Sequence, residues 1–118
     1  FMARGRPSLA CRLITSNIMT FEQLHLPELL GEVAMSANGL ILFAGVTGSG
    51  KSTSIAAMLN YVNQRKRCHI VTIEDPIEYI LPEASQIEIN DKAGITFAKT
   101  LRSVLRQDPD VISNSTVR

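Results

Sequence analysis

Aromatic residues are scarce in this chain. They make up 5% of 118 residues, and tryptophan is absent. No aromatics interleave the basic run Arg65-Lys66-Arg67, as the stacked platform for single-stranded nucleic acid would require. Cysteine is scarce too. Cys11 and Cys68 stand far apart, without metal-ligand spacing. That excludes a zinc knuckle and a disulfide scaffold, and it fits ordinary buried thiols in a reducing compartment. The strongest apolar stretch, residues 39–46, is far shorter than the roughly 20 residues that cross a bilayer. The first residues carry no apolar stretch of the signal-peptide kind. Neither charge sign dominates: the formal net charge is +1, so bulk electrostatics favours no polyanionic partner. Arg4, Arg6 and Arg12, and the run Arg65, Lys66 and Arg67, read as solvated loop charge. A cytoplasmic protein with no direct nucleic-acid partner is the expectation. Phe1 precedes Met2, which suggests a piece of a longer protein.

What is present is more specific. Hydrophobic residues make up 45% and charged residues 19%, as in a soluble globular domain. The length suits one small domain with a core. Gly45-Val46-Thr47-Gly48-Ser49-Gly50-Lys51-Ser52 fits G-x-x-x-x-G-K-[ST] at every fixed position. By composition, a chance match in a chain of this size has odds of roughly one in two hundred. Residues 40–44 run into the loop as an expected buried strand, and residues 53–62 leave it as a helix. Successive backbone N–H groups and the helix N-terminus then point at one anion. Gly45 and Gly50 stand where a Cβ would obstruct a sharp turn or a close ligand. Lys51 is placed to reach the β- and γ-phosphates of a nucleotide, and the Ser52 hydroxyl to bind Mg²⁺. Thr53 either adds an α-phosphate contact or faces solvent.

Along the chain, residues 10–15 suggest a strand. Pro27 suits the first position of a helix to about Met35, with Leu29, Leu30 and Val33 as its apolar stripe. Ile55, Met58, Leu59 and Val62 recur on one helix face. Residues 69–73 read as a second buried strand, and residues 86–89 as a short one. Gly94 and Thr96 open a helix whose buried stripe is Phe97, Leu101, Val104 and Leu105. Asp108-Pro109-Asp110 stops it, and Val111-Ile112 starts another strand. Residues 113–116 are polar and loop-like. Strands alternating with helices predict an α/β fold with a parallel sheet.

Glu74, Asp75 and Glu78 cluster where the second strand ends, beside Pro76. In an open α/β sheet, ligands bind outside the C-terminal ends of the strands. Carboxylates there can hold Mg²⁺ or orient the attacking water in phosphoryl transfer. A solvated acidic turn is the plain alternative.

Residues 45–53, the Thr72-Ile73-Glu74-Asp75-Pro76-Ile77-Glu78-Tyr79 box and the run from Leu101 to Ile112 resemble the type II secretion and type IV pilus ATPase superfamily. The likeness covers about residues 20–112. Residues 81–97 look closer to its secretion and pilus-extension branch, which includes competence-pilus ATPases, than to retraction ATPases. The resemblance implies a P-loop NTPase, a truncated RecA-like three-layer sandwich with a mostly parallel sheet. Residues 1–36 become a lead-in, 37–112 a partial motor core and 113–118 an unassigned tail. It implies ATP and Mg²⁺ as cofactors, held by Gly45, Thr47, Gly48, Ser49, Gly50, Lys51, Ser52 and Thr53. Ser52 and Glu74 take the metal side. Lys51, Glu74, Asp75 and Glu78 take the catalytic side, Glu74 first because it lies nearest the strand end. It implies a homo-hexamer that works with an inner-membrane platform protein and meets the membrane only through partners. Arg102 and Arg106 are expected on a helix surface or packed against Asp108 and Asp110.

The pattern departs after Ile112. The family continues through an apolar strand to a Gly-Glu step, the Walker B site. Ser113-Asn114-Ser115-Thr116 stands here instead. ATP binding with little hydrolysis is therefore expected. A nucleotide-binding module without motor function is the main alternative. A P-loop kinase or DNA motor is another, although no acceptor site, lid or strand-binding track is visible.

Overall fold

The computed structural model describes residues 2–11, 13–14 and 17–116. The chain begins with two short antiparallel strands, β1 (Met2–Ala3) and β2 (Arg6–Pro7). Arg4 and Gly5 join them, both at positive φ (51° and 73°), the conformation that matches a two-residue turn to strand twist. Ala10, Cys11, Leu13 and Ile14 form no strand, contrary to the expectation for residues 10–15. Leu13 is 91% exposed. Arg12 and Thr15 lie outside the described residues.

Helix α1 (Leu29–Ala34) is short. Its first turn closes through the Leu30 N–H donating to the Pro27 carbonyl. The expected stripe shifts: Leu29 is exposed, and Gly31 is the buried residue. A Cβ on Gly31 would lie 2.8 Å from the Tyr61 ring, so glycine permits the close approach to the next helix. The Tyr61 ring also stacks on Phe21 at 5.0 Å between centroids. The Arg65 guanidinium lies 3.6 Å from that ring's centre, which settles one charge of the basic run on an aromatic face.

Residues 40–44 were expected as a buried strand. They form no strand, and Leu40 and Leu42 are exposed. Apolar character favours a strand only where a neighbour supplies ladder hydrogen bonds, and no described strand pairs with this segment.

Helix α2 (Lys51–Arg65) follows the glycine loop directly. Then come β3 (Ile70–Asp75), β4 (Ser85–Glu88), a 3₁₀ turn (Asp91–Ala93), α3 (Phe97–Val104) and β5 (Val111–Thr116). The three later strands form one parallel sheet in the order β4-β3-β5. Helix α2 covers one face through Leu59 and Val62, which pack with Ile70 and Leu81. Helix α3 covers the other, where Val104 packs with Val71 and Ile73. The result is a helix–sheet–helix sandwich, the three-layer α/β architecture expected.

The expected stripe on α2 is correct, and Ala56 and Ala57 join it in the core. In α3 only Val104 of the expected four is fully buried; Thr100 joins it, while Phe97 and Leu105 are exposed. The helix ends at Val104, before Asp108, and a turn closed by the Gln107 N–H donating to Val104 O follows it.

Residues 113–116 are strand, not loop. They continue β5 along the whole of β3, from Ile70 opposite Val111 to Asp75 opposite Thr116. Ladder bonds are made by backbone, so polar side chains do not end a strand that still has a partner. The thiols also differ from expectation: Cys11 is exposed and Cys68 half-buried.

Candidate functional site

The register of the sheet sorts its side chains. In β3, Ile70, Thr72 and Glu74 share the face toward α2. Gln86 and Glu88 stand beside Thr72 and Glu74 on β4, and Ser113 and Ser115 stand beside them on β5. That face is apolar at its start, where Ile70 meets the body of α2, and polar toward its C-terminal end. The start of α2 and the glycine loop lie against this polar end.

In the loop, Gly48 and Gly50 have φ of 81° and 87°, a region where a side chain is strained. Gly50 is the N-cap of α2, and the Ser54 N–H donates to its carbonyl at 2.9 Å. Gly45 is not at positive φ; a Cβ there would lie 2.7 Å from Ser49 Oγ. The Ser49 N–H closes a turn onto Val46 O at 3.2 Å. Lys51 Nζ donates to Gly45 O at 2.9 Å and Val46 O at 2.8 Å. The ammonium is thus curled over the loop that its own helix follows, with one of its three donors still uncommitted to these carbonyls.

A cleft of about 950 Å³ opens along the loop, at the upper end of the range for small-molecule sites. Gly45, Thr47, Gly48, Gly50, Lys51, Ser52 and Thr53 line one side, and Asp75, Glu78 and Tyr79 contribute from the acidic box. Next to it, a cavity of about 20 Å³ is lined by Ser52, Glu74, Ser113 and Ser115 among others. That is room for about one water-sized particle. The structure therefore gathers the loop and the three carboxylates around adjoining spaces. Ser49 is the one predicted loop residue outside the cleft lining.

Two of the three carboxylates belong to β3 itself. Glu74 Oε1 accepts from Thr72 Oγ1 at 2.6 Å and from Gln86 Nε2 at 2.9 Å. Asp75 ends β3 and pairs with Thr116 in register. The connection from β3 to β4 crosses beside α2. There the Thr53 and Tyr79 hydroxyls bond at 2.8 Å, and Asn63 Nδ2 donates to Pro82 O at 2.6 Å. Thr53 is thus engaged by a phenol, an alternative that its sequence position did not suggest. Glu88 Oε2 accepts the Ile77 N–H at 3.0 Å and holds the start of the connection. Asp110 does not pair with Arg102 or Arg106, which are exposed. Its Oδ2 accepts the His69 N–H at 2.8 Å and fixes the approach to β3.

Ser52 and Glu74 offer a hydroxyl and a carboxylate to one small cavity. Hard oxygen donors of this kind suit Mg²⁺, which usually takes one or two carboxylates together with substrate phosphates. No group of three His, Cys, Asp or Glu residues among the described residues could hold a metal alone. The donor set thus fits a metal that arrives with a phosphate. Tyr79 and Gln86 are the site residues that sequence reasoning missed. Tyr79 lay inside the acidic box, but Gln86 becomes visible only through strand register.

No helix among the described residues is long and apolar enough to cross a membrane. A family model for "Type II/IV secretion system protein" matches residues 7–118. The type IV pilus ATPase PilU of Pseudomonas aeruginosa is 44% identical over 121 residues, covering 100% of this chain and 32% of that protein. Type II secretion system protein E of Aeromonas hydrophila is 47% identical over 91 residues, 77% of this chain and 18% of that one. The solved structure of the pilus retraction motor PilT with bound ADP matches with a TM-score of 0.78 at 38% identity, over 91% of this chain and 39% of that one. The chain thus spans well under half the length of each. Pilus and secretion proteins match at similar identity, so the likeness is to the group as a whole. With the family model running through the glycine loop, the acidic box and the whole parallel sheet, the chain belongs to the type II/IV secretion system protein family.

Proposed function

We propose that this chain is the ATP-binding part of an ATPase that powers type II secretion or the assembly of a type IV pilus or pseudopilus. One observation carries the proposal: the phosphate loop and the acid-bearing end of β3 open onto the same cleft. PilT, which shares the fold, is solved with ADP. Backbone N–H groups of residues 45–52 would bind the phosphates, and Lys51 would exchange its loop carbonyls for phosphate oxygens. Ser52 and Glu74 would hold Mg²⁺. Mg²⁺ held there with ATP would supply positive charge to offset the charge on the phosphates. Asp75 and Glu78 line the cleft as candidates to orient water. Such a protein would work as a homo-hexamer at the cytoplasmic face of the inner membrane, with an inner-membrane platform protein as partner.

A second reading draws on β5. It gives the cavity two serine hydroxyls and no carboxylate. One preorganised electrostatic element of a catalytic site is commonly worth about 3–4 kcal/mol of barrier. A chain without one would bind nucleotide and turn it over slowly.

Calorimetric titration with ATP, with and without Mg²⁺, tests the proposal. Mg²⁺ is expected to tighten ATP binding, and Glu74→Gln is expected to lose most of that gain. An ATP affinity indifferent to Mg²⁺ contradicts the assignment of Ser52 and Glu74. Phosphate release by the same protein separates the two readings: sustained turnover favours the motor, and binding without turnover favours the nucleotide-binding module.

A further inference from the structure

We propose that Gln86 is a positioning residue that fixes the Glu74 carboxylate and ties it to the phosphate-loop helix. This rests on the metal-side role proposed above for Glu74.

Gln86 stands on β4 opposite Thr72, which brings its side chain alongside the carboxylate two residues further along β3. Its amide is fully engaged. Nε2 donates to Glu74 Oε1 at 2.9 Å and to the Tyr79 carbonyl at 2.9 Å. Its Oε1 accepts the Leu81 N–H at 2.8 Å. Only one orientation of the amide satisfies all three. Turned over, its oxygen would face two acceptors and its NH₂ would face a donor. A glutamine kept only for Leu81 would need its acceptor half alone; here the donor half is divided between the site carboxylate and the acidic box.

Glu74 Oε1 takes both the Gln86 and the Thr72 hydrogen bonds. No described residue donates to Oε2. The carboxylate is therefore anchored by one oxygen, and the other remains available to a ligand of the cavity it shares with Ser52. The Tyr79 carbonyl that Gln86 holds belongs to the residue whose hydroxyl bonds Thr53. A single amide thus links three elements: β3 through Glu74, the β3–β4 connection through Tyr79, and α2 through the Tyr79–Thr53 contact. Partners that orient a metal ligand in this way typically matter about tenfold to a hundredfold for metal affinity.

The test is the ratio of ATP affinity with Mg²⁺ to that without it, measured by calorimetry on the whole chain. Gln86→Met removes both donors at similar size. It is expected to lower the ratio about tenfold. In the Glu74→Gln background the same substitution is expected to change the ratio no further, because Gln86 acts through Glu74. A general folding defect would weaken both affinities and leave the ratio intact, so an unchanged ratio in Gln86→Met overturns the proposal. A loss that adds fully to that of Glu74→Gln overturns it as well. If Glu74→Gln itself leaves the ratio intact, the metal-side role of Glu74 fails and this inference fails with it.

Discussion

Replacing Lys51 with alanine is expected to lower the affinity for Mg²⁺-ATP by about tenfold to a hundredfold. A hydrogen bond to a charged group contributes about 1.5–3 kcal/mol, and every 1.4 kcal/mol or so is tenfold in affinity. The side chain is poised for that role. Its two bonds to Gly45 O and Val46 O are exposed, so exchanging them for phosphate oxygens costs little desolvation. For the same reason the substitution should leave the thermal midpoint without nucleotide nearly unmoved, since exposed surface interactions contribute little to stability. Calorimetry paired with thermal melts checks both halves. Equal nucleotide affinity before and after the substitution contradicts the phosphate assignment of the loop.

The second large effect lies in the core. Ile73 is 0% exposed. It packs with Val71 and Val104, between the sheet and α3. Ile73→Ala should destabilise the fold by about 2–5 kcal/mol, the lost transfer energy plus the cavity left behind. That is a large share of the 5–15 kcal/mol typical of a whole domain. Ile112 is the natural control. It lies on the same face of the sheet, opposite Val71 in register, yet is 37% exposed. Ile112→Ala should cost well under half as much. Urea unfolding of the two variants compares them directly. Equal losses would mean that α3 does not seal this part of the core as described.

Much of this arrangement can be read from residue order because the glycine loop is local. Eight consecutive residues bring their own phosphate cradle, and the stripe on α2 follows from helical periodicity alone. The three carboxylates at the end of β3 were visible for the same reason. What residue order hides depends on pairing. The apolar run 40–44 looks like a strand, but no alternation pattern reveals whether a ladder partner exists. Residues 113–116 look like a loop because they are polar, yet β3 offers them backbone partners as far as Asp75. Once laddered, Ser113 and Ser115 fall on the face of Glu74, and their polarity suits the cavity there. Gln86 was hidden in the same way. Its contact with Glu74 spans 12 positions and arises from the register of β4 on β3. Of the two places open to Arg102 and Arg106 the exposed one holds, and Asp110 meets the His69 N–H instead through strand approach.

The central claim is that the loop at residues 45–52 binds through phosphate. The most direct measurement is calorimetric titration of the wild-type chain with ATP, ADP, AMP and adenosine in the presence of Mg²⁺. The account predicts that affinity falls with each phosphate removed and that adenosine binds least. Adenosine binding as tightly as ATP would contradict it.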